Sequence, residues 1–470
     1  MMSAAVLVRL VAISSLCALA GCTAAEVPND ADDPEEEAAG VAPQPCQYLP
    51  DPAHLFEWTS AERLAGFSHS KDLYATETFR RSFFPSSPLP YVPTPSVTYQ
   101  YGGGTRTIDD YMTQQHVAGL LVLKDGKIAI EEYRGISDST LWQSMSIAKS
   151  VLSTLVGIAL KEGEISSLDE PIETYVPEVV GSAYEGVTIR NMLRMASGVT
   201  WVEDEYEDPA TDANYILSTC IGNRTPDCTL DLLLSLPRAI DPATELPVPQ
   251  GTKWNYNTGE AHLLGLVVQR ATGKSLAKYL EQKVWKPMRA ERDGAWIRES
   301  DYGPSFGGVG FNATLRDYGR FGLFIMNNGA LPNGSNPLPA GWVADATTWF
   351  APSAIPGFAD NGQYGNMWWF YPAYDDGINN PSPLMTMTGP VPLQRTTATA
   401  AVQLTNRTSD WTFAGYGIYG QMLAINQIEK VVMVQFATWD HANPVDLVAH
   451  PENLYNEEGV FLNAVIDALH

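Results

Sequence analysis

Ser146-Ile147-Ala148-Lys149-Ser150-Val151-Leu152-Ser153-Thr154-Leu155-Val156-Gly157-Ile158-Ala159-Leu160 carries apolar residues at helical spacing from its first turn. Ala148, Val151, Leu152, Leu155 and Ile158 fall on one face, which predicts a helix buried close to its N-terminus. Residues three apart share a helix face, so Lys149 stands one turn inside Ser146 with its amine in reach of the hydroxyl. Burial disfavours an ammonium, and a lysine that accepts a proton near neutrality needs its pKa moved from about 10.4 towards about 7–8. Ser146 and Lys149 are therefore a candidate nucleophile and base.

The tetrapeptide alone decides nothing, because a serine at a helix start is equally well an N-cap. Ser-x-x-Lys occurs twice more. Ser68-His69-Ser70-Lys71 lies among polar residues with no apolar run after it, and Ser275-Leu276-Ala277-Lys278 reads as an ordinary helix start capped by Ser275.

With 470 residues, 45% of them hydrophobic, the chain supports one large or two modest domains. Its 29 basic and 54 acidic side chains give a formal charge of −25, which disfavours partners held by charge, nucleic acid above all. The histidines are scattered and no Cys-His cluster has ligand spacing, so no metal or cofactor is expected. Gly273-Lys274-Ser275 looks like the end of a phosphate-binding loop, but Val268 stands where its first glycine should be.

The N-terminal segment reads as an address. Arg9 precedes the apolar stretch 10–20, too short for a permanent span, which closes on Leu19-Ala20-Gly21-Cys22. This resembles the bacterial lipobox, whose cysteine is lipidated and becomes the first residue of the mature protein. The expected organisation is a lipoprotein signal peptide over 1–21, an acidic tether rich in Pro and Ala over 22–50, and a domain over 51–470. Lipidation at Cys22 would anchor it in a bacterial membrane, within the cell envelope, facing the periplasm or the exterior. In that oxidising setting Cys220 and Cys228 are a candidate disulfide, leaving Cys46 without an assigned role.

Two β-rich runs, Val117–Lys124 and 127–134, meet at Asp125-Gly126, a two-residue hairpin signal. A second hairpin is expected over 420–426 and 431–437, and a closing helix over 458–469. Helical patterns fill the interval at 146–160, 189–196, 230–236, 260–271, 276–285 and 315–327. Strands outside and helices inside predict an α+β fold, an antiparallel sheet flanked by helices, with a helical insertion at about 150–250.

Downstream, Gly251-Thr252-Lys253-Trp254-Asn255-Tyr256-Asn257-Thr258-Gly259 leads from a turn straight into an apolar helix. Ser-x-x-Lys followed by this tyrosine resembles the penicillin-recognising serine hydrolases, which include class C β-lactamases, DD-peptidases and related esterases. Within that family it is most similar to the 6-aminohexanoate-dimer hydrolase branch. The resemblance implies acylation of Ser146, with Lys149 and Tyr256 sharing the proton traffic. The motif's third place holds Thr258 where many relatives have Asn. Leu315-Arg316-Asp317-Tyr318-Gly319-Arg320-Phe321-Gly322 resembles the family's helix behind the site, and Tyr364-Gly365-Asn366-Met367-Trp368-Trp369 a strand near it.

The stretch Ala414-Gly415-Tyr416-Gly417-Ile418-Tyr419-Gly420-Gln421 resembles the branch's equivalent of the Lys-Thr-Gly or His-x-Gly strand, and it holds no cation. By resemblance the backbone N–H groups of Ser146 and Ile418 form the oxyanion hole, one such donor being worth about 3–4 kcal/mol. Tyr206, in the acidic stretch Glu203-Asp204-Glu205-Tyr206-Glu207-Asp208-Pro209, matches a substrate-covering tyrosine. The carboxylate that relatives use for an oligomer's amine has no clear counterpart, with Leu217 at the nearest spacing and Asp212 earlier. The expected activity is cleavage of small esters or amides. The competing readings are β-lactamase or DD-peptidase action, disfavoured by Tyr416 in the cation's place, and a catalytically inactive binding lipoprotein.

Overall fold

Residues 117–123 are almost continuously apolar because the strand they form is covered on both faces. This strand, β1 (Val117–Lys124), returns as β2 (Lys127–Tyr133) through Asp125 and Gly126, at φ 52° and 75°. Positive φ at both turn residues matches the twist of the flanking strands. β3 (Trp369–Phe370), β4 (Thr412–Gly417), β5 (Gln421–Asn426) and β6 (Val431–Ala437) complete a six-stranded antiparallel sheet ordered β2-β1-β6-β5-β4-β3. The early hairpin is thus joined to the last strand, with Leu121 opposite Val434.

The computed structural model describes residues 49–203, 206, 212–348, 364–370, 412–443 and 454–470, all within one unit, Tyr48–His470. The expected signal segment, Cys22 and Cys46 lie outside the described residues, as do 204–205 and 207–211 of the acidic stretch.

Alternation along β1 separates two layers. Leu121 and Leu123 share a core with Leu423, Val432 and Val434, whereas Leu120 and Val122 share another with Met422, Ala424 and Met433. The first layer holds α1 (Ile147–Glu162), α2 (Thr258–Thr272) and α3 (Leu315–Met326). The second holds α4 (Leu454–Ala468) and the short helix Ile108–Gln114. α3 lies very close to the sheet: a Cβ on Gly319 would stand 2.6 Å from Leu121, and one on Gly322 2.5 Å from Val432. The fold is α+β, an antiparallel sheet flanked by helices.

A second sheet joins Thr76–Phe79, Gly294–Ile297, Phe311–Ala313 and Trp142–Gln143 in that order. None of these was expected, because strands of two to four residues are too short to show a period. The expected helix over 276–285 divides into Leu276–Leu280 and a π-helical turn, Glu281–Trp285. That over 189–196 stops at Leu193, and Met195 turns to φ 53°. The insertion contains Ala213–Gly222 and Cys228–Ser235, joined by a Cys220–Cys228 disulfide. Among the described residues no helix is long and apolar enough to cross a membrane.

Candidate active site

The chain enters α1 from the small sheet, where Gln143 pairs with Asn312 and the Ser144 N–H donates to Phe311 O at 2.9 Å. Met145 then takes φ 45°, a left-handed conformation uncommon for a side chain of this size, and the sharp bend places Ser146 at the N-terminus of α1. The Ser146 side chain makes no capping hydrogen bond. Ser275 Oγ does cap, accepting from the Lys278 N–H at 3.1 Å, and Ser68 Oγ donates back to Leu64 O at 2.6 Å. Geometry thus separates three identical sequence patterns.

Lys149 Nζ lies 2.6 Å from Ser146 Oγ and donates to Gly308 O at 3.2 Å. Lys149 is 1% exposed and Ser146 8%. Burial pulls the lysine down from its usual value to about 8, with the Glu203 carboxylate acting in the opposite sense. An amine so placed is a base for the hydroxyl beside it.

The turn before α2 brings Tyr256 to the same place, its ring centre 4.9 Å from Lys149 Nζ. Asn257 caps α2, its side chain accepting from the Glu260 N–H at 2.9 Å, and this fixes the backbone that carries the tyrosine. The half-buried Tyr256 ring packs against Trp369 at 5.4 Å and Tyr364 at 5.9 Å between centroids. Of the stretch expected as a strand, only Trp369 continues as strand, into Phe370. Tyr364 to Met367 forms a bend, with Met367 at φ 62°.

β4 runs beside the start of α1 at backbone distance. A Cβ on Gly415 would stand 2.8 Å from Ser150 Oγ, and one on Gly417 2.6 Å from Ser144 O, so both positions need glycine for the approach. Ile418 follows in the turn, with Tyr419 at φ 63° and Gly420 at φ 83°. Gln421 holds that turn. Its Nε2 donates to Ile418 O, Tyr419 O and Ala437 O at 3.3, 3.1 and 2.8 Å, and its Oε1 accepts from Trp142 Nε1 at 2.8 Å. From α3, Tyr318 OH donates to Trp142 O at 3.1 Å, bracing the approach to Ser146 from behind.

Residues 105–455 match the Beta-lactamase family. The chain belongs to that family. The 6-aminohexanoate-dimer hydrolase of Paenarthrobacter ureafaciens is 30% identical over 261 residues, 53% of this chain and 63% of that protein, so the match spans less than two thirds of its length. Among solved structures, a candidate 6-aminohexanoate-dimer hydrolase from Bacillus anthracis superposes with a TM-score of 0.65 at 21% identity, covering 85% of this chain and 94% of that one. A candidate beta-lactamase from Bacteroides dorei gives 0.50 at 18% identity, with 74% and 96% covered. These likenesses show a shared fold, and the family is one of serine hydrolases.

In this member of the beta-lactamase family the structure supplies Thr258, at the start of α2, with a partner that sequence reading missed. Glu203 accepts from the Thr258 N–H at 2.6 Å, from its hydroxyl at 2.5 Å and from Trp201 Nε1 at 2.7 Å. Tyr206 is buried, its OH donating to the same carboxylate at 3.1 Å and its ring 5.7 Å from Phe56. In the sequence Glu203 is only the start of an acidic stretch, and no periodicity links positions so far apart. Asp212 caps Ala213–Gly222, accepting from Asn214 N and Tyr215 N. Burial, then the Glu203 charge, pushes it up to about 6. Leu217 lines a small apolar pocket with Leu55, Tyr74, Met145 and Ile418. Among the described residues no three His, Cys, Asp or Glu are grouped to hold a metal.

Proposed function

We propose that this chain cleaves small esters or amides through an acyl-enzyme on Ser146. The observation that carries the proposal is Lys149 Nζ, buried and 2.6 Å from a serine oxygen that caps nothing. Neutral Lys149 takes the Ser146 proton as Oγ attacks the substrate carbonyl, and the resulting oxyanion is received by the Ser146 and Ile418 N–H groups. Tyr256, over Lys149, passes the proton to the leaving alcohol or amine. Water then attacks the ester carbonyl, giving a proton to the Lys149–Tyr256 pair, which passes it to Ser146 Oγ as the C–Oγ bond breaks, so that the acid product leaves and the serine hydroxyl and neutral lysine are restored.

An ester or amide fits better than a β-lactam, because the strand beside Ser146 turns Gly415 and Gly417 towards α1 and Tyr416 to the opposite layer, and so presents no cation for a substrate carboxylate. Lipid attachment at Cys22 would hold the enzyme at a bacterial membrane. The deciding experiment is labelling by a fluorophosphonate together with turnover of p-nitrophenyl esters and short amides. A chain that neither labels nor turns over any of them is a binding protein on the same fold, and the proposal fails.

A further inference from the structure

We propose that the strap Arg80-Arg81-Ser82-Phe83-Phe84 is a membrane-contact edge that seats on an anionic lipid surface. Phe83 is 100% exposed and Phe84 64%, extreme values for phenylalanine in a chain with a large core. The strap is pinned on both sides of the pair. The Arg80 N–H donates to Glu281 Oε2 and the Arg81 N–H to Asp293 Oδ1, each at 2.8 Å, and Ser87 N donates to Arg289 O at 2.9 Å. Ser82 Oγ accepts from the Phe84 N–H at 3.2 Å, fixing the backbone between the rings. The rings are therefore held outward by hydrogen bonds on either flank.

Charge chooses the partner. The chain carries −25, yet the segment bonded to this strap presents exposed Arg289 and Arg292 beside exposed Arg80 and Arg81. Of the carboxylates nearby, Glu281 is ion-paired with Lys278 and Lys286 at 2.8 and 2.6 Å, and Asp293 accepts the Arg81 N–H. An anionic bilayer repels the rest of the surface and attracts this edge, so the same electrostatics that disfavour non-specific membrane binding would orient the domain. Aromatic rings flanked by arginine suit the headgroup boundary, where a ring enters the acyl region and a guanidinium stays with phosphate. Weak affinity is sufficient if Cys22 is lipidated. A lipid at Cys22 would hold the edge near the bilayer at high effective concentration. The surface itself is independent of the hydrolase reading.

The test uses the chain from residue 22 onward with Cys22→Ser, so that no lipid is attached, sedimented with vesicles of phosphatidylcholine containing or lacking phosphatidylglycerol. Binding is expected to the anionic vesicles only, and to weaken as salt rises. Phe83→Ser with Phe84→Ser should weaken it by about tenfold per ring, and Arg80→Glu with Arg81→Glu by about fivefold per residue or more. Hydrolysis of a soluble ester and the melting temperature serve as folding controls and should not move. Absence of binding to anionic vesicles, or binding that neither pair of substitutions weakens, overturns the proposal and leaves the phenylalanines to a protein partner.

Discussion

Glu203 accepts both the backbone N–H and the hydroxyl of Thr258, at 2.6 and 2.5 Å, and its charge favours the protonated form of Lys149. Removing that charge should let the lysine lose its proton at lower pH. The rising limb of kcat/KM, expected near pH 8 in the wild type from the value of about 8 at Lys149, should move towards acid in Glu203→Gln. Glutamine keeps an acceptor for Thr258, so the loop stays in place. A pH–rate profile measured across the neutral and alkaline range checks this, and an unmoved limb would separate Glu203 from the base.

Ser146→Ala should lower kcat/KM by about four orders of magnitude or more, because the nucleophile and not merely a contact is lost. Stability should change little, since the hydroxyl caps no helix and Lys149, which loses it as a partner, keeps Gly308 O as an acceptor. Melting temperature and fluorophosphonate labelling, measured on the same sample, check both halves. Labelling that survives the substitution assigns the acylation elsewhere.

Glu260 is fully buried, with Ser197 Oγ donating to Oε1, and burial pushes it up to about 8. A carboxyl whose folded value lies above its ordinary 4.5 contributes stability that is complete below that value and lost as pH rises to about 8. Glu260→Gln removes this dependence, so the variant should gain in melting temperature relative to wild type as pH rises from about 5 to about 8. Lys149 acts with the opposite sign above about 8, its folded value lying below 10.5, so the comparison is between the two proteins and not along one curve. Parallel stability curves for the two proteins would show that Glu260 is ionised in the fold throughout.

Tyr416 is half-buried on β4 between Gly415 and Gly417, which face α1, so its ring turns to the opposite layer and packs with the cluster that holds α4. Tyr416→Lys should therefore leave the preference between carboxylate-bearing substrates and neutral esters unchanged, because the cation it adds stands on the far face of the strand from Ser146 and Lys149. The comparison is the ratio of the two specificity constants. Efficient nitrocefin hydrolysis by the wild type would contradict the ester and amide preference directly.

What was legible in the sequence had strong local grammar. The apolar face of α1, the Asp125-Gly126 turn and the glycine pair around Tyr416 each act over a few residues, and the structure realises them within two positions of their expected bounds. The nearness of Tyr256 to Lys149 came from resemblance and not from periodicity, since nothing local joins residues about a hundred apart. The small sheet was invisible because pairing, not pattern, defines strands such as Trp142–Gln143. Glu203 was hidden for a related reason. Its significance lies in Thr258 and Lys149, and a carboxylate in an acidic run carries no mark of which neighbour it will meet.

The pairing of β1 with β6 has a kinetic consequence. β1, over Val117–Lys124, must wait for β6, over Val431–Ala437, to be made, and loop closure over that span slows the search for the native pairing. Until then β1 presents an open edge of Leu and Val, an invitation to aggregate. The turn after β4 that stands beside Ser146 belongs to the same late-arriving half of the sheet. Catalytic competence should therefore appear abruptly, at the moment the barrier to aggregation also appears, and nascent or truncated chains should be inert and dependent on chaperones.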